Sequence, residues 1–407
     1  MSARSTRLLR GATVLTCDPQ IPSLQRGDIL IDAGRISAVG TDLVAPPGSE
    51  VVDLVGSIVI PGLIDAHQHL WEHTYLLCHP ELGLGAYFKE FVADAAAAVT
   101  PDGLYDTVRA ALRSAVTSGT TTTFDWCHVT NTPEHAQAAV AAALSSPSRY
   151  VFGYGPPVAL GYYNSARHHP NDMEKLAAEH GSTTHERVSV AAALRGPDLS
   201  PPEVVRADIE RARQAGIPIS MHVSTHVSGP GGVTSLHEQG LLGPDLQFVH
   251  LTDASTDELR LVSNSGGRIV VPPIAELAMG TGVPPLRRVT DAGSRAALAV
   301  DTVLGSPLDM FNQMRAAAIL LRAAEWDGSC PPVGSRLEDI LAAATIEGAR
   351  ACWLDDVTGS LTPGKWADLV ILEPGRPVAT IEEALAHVVW NGSADRISTV
   401  LVGGVTA

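Results

Sequence analysis

The chain changes rhythm twice along its length. Residues 1–59 alternate short runs of β-forming residues with turns: Ala12–Thr16, Asp28–Asp32, Arg35–Val39, Val51–Leu54 and Ser57–Ile60. Ala33-Gly34 joins the second and third runs as a hairpin turn. The C-terminal segment returns to this style in Ala367–Leu372, Val388–Trp390 and Thr399–Val402. Between residues 60 and 355 the pattern differs. Apolar, strand-like runs (Ile58–Asp65, Thr120–Trp126, Tyr150–Tyr154, Val188–Leu194, Ile217–His222, Gln247–Leu251, Arg268–Pro272 and Ala296–Asp301) alternate with longer amphipathic stretches such as Asp102–Ser118, Pro202–Ala215 and Thr256–Ser265. Eight such alternations predict an α/β fold, a parallel (β/α)8 barrel. The two β-rich ends then pair into a small β-sandwich domain of residues 1–59 and 361–407, beside a catalytic barrel of 60–360.

Composition narrows the function classes. The 407 residues are 45% hydrophobic and 18% charged, a globular balance, with a net charge of −16. An acidic chain without a lysine or arginine block is a poor partner for a phosphate backbone, so no nucleic-acid binding is expected. No run is long and apolar enough to suggest a membrane span. The N-terminal MSARSTRLLRGATVLT lacks the apolar core of a signal peptide, which makes a cytoplasmic location the default expectation. Cys17, Cys78, Cys127, Cys330 and Cys352 are scattered and never form a CxxC pair, which suggests neither a disulfide framework nor a cysteine zinc site.

The chemistry collects where a (β/α)8 barrel keeps its active residues, at the C-terminal ends of the strands. The first run ends Asp65-Ala66-His67-Gln68-His69. Positions i and i+2 of a strand share a face, so His67 and His69 can reach one ion. The fifth run ends at His222, the sixth at His250 and the eighth at Asp301. Imidazoles with one carboxylate suit Zn²⁺, or Fe²⁺ in a more open geometry.

These segments also carry a resemblance. PGLIDAHQHL (61–70), SGTTTTFDW (118–126), ISMHVS (219–224), FVHLT (248–252), ALAVDTVLGSPLDMFNQMR (297–315), ATIEGARA (344–351) and GSLTPGKWADLVIL (359–372) resemble, in order, motifs of the amidohydrolase superfamily. The branch they most resemble contains cytosine deaminase, guanine deaminase and the s-triazine hydrolases. The resemblance implies one metal held by His67, His69, His222 and Asp301, with Asp301 also accepting a proton from the attacking water. It implies that His250 lies beside that water and the substrate. The carboxylated lysine of binuclear relatives has no counterpart in Val188–Arg195, which implies a mononuclear site and leaves Arg195 or the nearby loop free to face substrate. The activity implied is hydrolysis of a C–N bond, of amine or cyclic amide type, in a small nitrogen heterocycle, most simply deamination. By analogy the enzyme is a homo-oligomer.

One position departs from the pattern. Deaminase-like members carry His-x-x-Glu on the fifth strand; this chain reads His222-Val223-Ser224-Thr225. A hydroxyl is no acid near neutral pH, and losing a general acid costs roughly 10²–10⁴ in rate. Glu276, in the apolar run after the seventh strand, is the candidate that takes over proton transfer; binding of a cationic substrate group and a solvated loop glutamate are its other readings. Trp71, Glu72, His128 and His226 are candidate substrate contacts, Trp71 by stacking on a planar ring. A different leaving group, ring opening or lyase-type chemistry keeps the same metal core, and a catalytically silent binding or assembly protein is the reading from another class.

Overall fold

The computed structural model describes residues 6–157, 169, 172–181, 187–326 and 337–407; Cys330, one of the five cysteines weighed above, lies outside them. The eight barrel strands are, in order, Leu63–Gln68, Thr120–Cys127, Arg149–Tyr154, Val188–Leu194, Ile219–Val223, Leu246–His250, Arg268–Val271 and Ala296–Leu298. They neighbour one another in chain order, with parallel registers such as Ile219↔Leu246 and Val270↔Ala297. A parallel bridge between Gln68 and Asp301 joins the eighth strand region to the first. Every residue of the second, third and fourth strands is buried. A parallel strand covered on both faces loses the polar/apolar alternation, which is why these runs read as continuous apolar segments.

Local sequence sets the helices between them. Thr256–Ser265 starts at Ser255, whose hydroxyl accepts from the Glu258 N–H at 3.2 Å while Glu258 Oε2 accepts from the Ser255 N–H at 3.0 Å. Such a box is worth about 1 kcal/mol. The helix stops at Gly266, whose φ of +74° a side chain would resist. The apolar segment after the seventh strand folds as the short helix Pro273–Met279, which carries Glu276 on its buried side.

The chain ends form a mixed sheet of Arg7–Val14, Leu24–Asp32, Arg35–Gly40, Glu50–Asp53, Ile58–Pro61, Leu369–Leu372, Ile397–Val402 and Val405–Thr406. Leu9, Ile29, Ile31, Val59, Leu369 and Leu401 fill its core. One expected strand is a helix instead: Val388–Trp390 lies in the helical turn His387–Asn391 that continues Ile381–Ala386. Thr380 caps that helix by accepting from the Glu383 N–H, and the helical context overrides the β preference of two valines and a tryptophan.

Contacts divide the chain into two units. One is Met1–Asp65, Ser114–Thr122 and Asp309–Ala407; the other is Ala66–Arg113 and Thr123–Leu308. The site described next lies wholly in the second. No helix among the described residues is long and apolar enough to cross a membrane.

Candidate active site

His67 and His69 leave the first strand on one face, and the backbone fixes them against the eighth. The Asp301 N–H donates to the His67 carbonyl at 2.9 Å, and the His69 N–H donates to the Asp301 carbonyl at 3.1 Å. Asp301 has a φ of +67° and His250 one of +81°. Left-handed backbone at a residue other than glycine costs on the order of 1–3 kcal/mol, and it gathers where a site dictates side-chain direction.

Four ligand atoms, one each from His67, His69, His222 and Asp301, lie within 4.8 Å of one another. Asp301 Oδ1 is 3.2 Å from His67 Nε2 and 3.2 Å from His69 Nε2. His222 Nε2 is 3.2 Å from His67 Nε2. Tetrahedral ligands about 2.1 Å from a zinc-sized ion sit about 3.4 Å apart, so these separations and this N₃O donor set fit one divalent ion. Burial holds the His67 imidazole down at about 4 and His222 well below its ordinary value, which keeps both lone pairs available. Burial also works against charge on His69, but its bond to Asp301, the Asp301 and Glu72 charges and the Trp126 carbonyl together lift it to about 9. Burial opposes ionisation of Asp301, and the bonds from His67 and His69 overcome it to hold the carboxyl well below the usual range.

A layer of buried partners aims these groups. His69 Nδ1 donates to the Trp126 carbonyl at 2.7 Å, which turns Nε2 toward Asp301. Asp125 accepts from the Leu70 N–H at 3.1 Å and from the Tyr150 hydroxyl at 2.5 Å. Glu72 is fully buried. It accepts from the Tyr87 hydroxyl and, at 2.5 Å, from the Thr302 hydroxyl. Burial raises Glu72 to about 7 and Asp125 to about 6.

His250 stands on the far side of Asp301, its Nε2 4.0 Å from Asp301 Oδ2. Its Nδ1 faces Glu276 Oε1 at 3.2 Å. Glu276 is 0% exposed, and burial pushes its carboxyl up to about 7. Burial disfavours the charged His250, but the bond to Glu276 and the charges of Asp301 and Glu276 together outweigh it and raise that imidazole above its ordinary value. The two titrate as a pair.

The cluster opens onto a cavity of about 230 Å³. Of the residues singled out from sequence, His69, His128, His222, Thr225, His250 and Asp301 border it. The others sit elsewhere. Trp71 is buried, stacked on Phe91 with ring centroids 5.6 Å apart, and donates from Nε1 to His128 Nε2 at 3.1 Å. Glu72 and Glu276 lie behind the wall, Arg195 is buried, and the His226 side chain is 73% exposed, 3.9 Å from Asp253. Tyr87, Asp198, Ser228 and Thr302 also border the cavity and escaped the sequence reading. Asp198 carried a usable signal: it follows the fourth strand by four residues, at the barrel end where chemistry collects. Tyr87 carried none, since it comes from a helical segment with no pattern of its own.

The model of the amidohydrolase family matches residues 58–407. The chain is 24% identical to a 5'-deoxyadenosine deaminase of Methanosarcina mazei, over 98% of this chain and 91% of that protein. It is 26% identical to a 5-methylthioadenosine/S-adenosylhomocysteine deaminase of Syntrophobacter fumaroxidans, over 99% of this chain and 93% of that protein. A crystal structure of a Xanthomonas campestris adenosine deaminase with bound zinc shares the fold. Its TM-score is 0.83 at 22% identity, covering 99% of this chain and 92% of that one. With the family match spanning most of its length, the chain belongs to the amidohydrolase family and is a metal-dependent hydrolase of carbon–nitrogen bonds other than peptide bonds.

Proposed function

We propose that this enzyme is a deaminase that exchanges the exocyclic amine of a small nitrogen heterocycle, of the aminopurine base or nucleoside kind, for a carbonyl oxygen. The observation that carries the reading is the buried Glu276–His250 pair beside an N₃O cluster that opens onto a cavity. The deaminase names of the relatives support it. The proposed ion is Zn²⁺, held by His67, His69, His222 and Asp301, with Fe²⁺ the alternative that elemental analysis decides. In this reading residues 60–360 are the catalytic barrel, and 1–59 with 361–407 the β-sandwich domain.

Bound at the cluster, the ion supplies a Lewis acid that lowers the pKa of a water toward about 7. Asp301 accepts the proton of the attacking water. His250 Nε2 faces Asp301 Oδ2, so the imidazole orients the nucleophile and stabilises the oxygen of the tetrahedral species. Glu276 holds the His250 ring from behind and shares its proton. Its carboxylate reaches the cavity only through that ring, so the proton-transfer role expected of Glu276 belongs to the pair. His128 offers the substrate a neutral imidazole, because burial keeps it well below its ordinary pKa. Trp71 and Glu72 act at one remove, through His128 and through Tyr87 and Thr302.

Ammonia release by the zinc-loaded enzyme tests this across adenosine, 5'-deoxyadenosine, guanine, cytosine and an amino-triazine. One ammonia per turnover from at least one of them is expected. No ammonia from any overturns the reading.

A further inference from the structure

Deamination needs a proton on the departing nitrogen, and Glu276 does not open onto the cavity. Among the described residues, the carboxylates that border the cavity are Asp198 and Asp301, and Asp301 belongs to the cluster. Asp198 Oδ2 accepts from the Ser224 N–H at 2.6 Å and from the Ser228 hydroxyl at 2.7 Å. Ser228 Oγ is 3.1 Å from Thr225 Oγ1 and accepts from the Thr225 N–H at 3.0 Å. Asp198, Ser228 and Thr225 all border the cavity together with His222 and His250.

Two backbone features build this arrangement. Ser224 has a φ of +54°, a conformation that turns its N–H toward Asp198. Gly232 lies directly against the carboxylate: a Cβ there would come within 2.4 Å of Asp198 Oδ1. Any side chain at 232 would therefore push Asp198 away from the Ser224 N–H and the Ser228 hydroxyl.

We propose that Asp198, Ser228 and Thr225 form a proton relay that protonates the leaving amine from the fifth-strand side of the cavity. The relay rests on the deaminase reading above. Asp198 in its acid form donates to Ser228 Oγ, the Ser228 proton passes to Thr225 Oγ1, and the Thr225 proton passes to the amine nitrogen. The C–N bond then breaks with its electron pair on nitrogen, and ammonia departs. The new C–O bond from water stays. The water proton taken up by Asp301 passes to the ring nitrogen by way of the His250–Glu276 pair. The remaining hydroxyl proton is lost as the carbonyl forms and recharges Asp198 through cavity water, so water plus aminoheterocycle gives oxoheterocycle plus ammonia. Burial raises the Asp198 carboxyl above its ordinary value and nearby Glu258 reinforces it; the Ser228 and Ser224 bonds and His250 pull the other way. Thr225 thus stands at the place of an acid and serves as the last hydroxyl of a chain that ends in one.

Asp198→Asn and Thr225→Val test the relay. The asparagine still accepts from Ser224 and Ser228, so a merely structural Asp198 survives the change. In the zinc-loaded enzyme, with its ammonia-releasing substrate, each variant is expected to lose about 100-fold in kcat. KM should stay within about threefold, with metal content and melting temperature unchanged. Because both act in one chain, the double variant should fall no lower than the worse single variant within about threefold. Either single variant keeping kcat within about threefold of wild type overturns the relay. So do losses that multiply to about 10⁴ in the double variant. Should Asp198→Asn lose metal or melt early, Thr225→Val decides alone by the same criterion. Wild-type ammonia release tests the deaminase reading separately, so the two cannot fail unnoticed together.

Discussion

On one flank of the cluster a carboxylate is sealed behind an imidazole; on the other a carboxylate stands in the cavity among hydroxyls. Glu276 is fully buried, with Oε1 on His250 and no hydrogen-bond partner for Oε2 among the described residues. Asp198 is half-buried, and its Oδ2 takes two short hydrogen bonds. A dry carboxylate with one partner resists ionising and binds that partner hard, so the sixth-strand flank controls one imidazole. A half-buried carboxylate that borders the cavity and is joined to rotatable hydroxyls can hand protons on and be refilled from cavity water. In the proposed mechanism the contrast gives nucleophile orientation to one side and leaving-group protonation to the other.

Removing what both flanks serve gives the largest effect. In the proposed mechanism Asp301→Asn deletes a ligand and the proton acceptor of the attacking water at once. We expect kcat/KM to fall by about 10⁴-fold or more, with sub-stoichiometric metal by elemental analysis. Chelation of the wild type should match it and reverse on adding zinc. A chelated, metal-free enzyme that keeps its rate would make the contrast between flanks irrelevant.

Glu276→Gln probes the dry flank alone. Glutamine still accepts from His250 Nδ1 but carries no charge. Together with the Asp301 charge, the bond and charge of Glu276 hold the His250 pKa above its ordinary value against burial. Without that charge the pKa falls, so the kcat limb that reports His250 should move to lower pH, with kcat down about 10²-fold. Melting temperature and metal content separate this from unfolding. An unmoved pH profile with full activity would leave Glu276 a packing residue.

Much of this site was legible because a barrel puts chemistry at predictable places. His67, His69, His222, His250 and Asp301 each end an apolar run, and that position is visible in one sequence. Direction was less visible. Trp71 follows His69 by two residues and reads as a ring-stacking pocket residue, yet its partner is Phe91, twenty positions on. Glu276 reads as an acid that faces the substrate pocket, but the helix Pro273–Met279 turns it inward onto His250. The Asp198–Ser228 bond joins residues 30 positions apart, on loops with no periodicity to betray a pairing. Single-sequence patterns report which face a strand residue takes. They carry no record of what loops bring together.

A smaller effect is expected behind the wall. Tyr87→Phe removes one of two hydroxyl donors to buried Glu72. The orphaned carboxylate oxygen should lower unfolding stability by about 1–3 kcal/mol in a denaturant titration. Because Tyr87 borders the cavity, KM should rise while kcat holds within about threefold. A loss in kcat as large as that of Glu276→Gln would add the first-strand loop to the proton machinery.

The smallest expected effect comes from Trp71→Phe, and it tests whether the comparison has only two sides. Phenylalanine can keep the stack on Phe91 but cannot donate to His128 Nε2. One buried hydrogen bond is worth about 1 kcal/mol net, which is a factor of about five in an equilibrium. His128 borders the cavity beside His69, with ring centroids 4.5 Å apart, and needs its present tautomer to meet substrate in one way. Losing the Trp71 donor frees the other tautomer, so KM should rise about three- to tenfold at nearly constant kcat, read from initial rates of ammonia release. A kcat loss near 10²-fold would instead mean that His128 moves a proton in the reaction. The second strand would then be a third source of protons, and the division between a dry flank and a wet one would be incomplete.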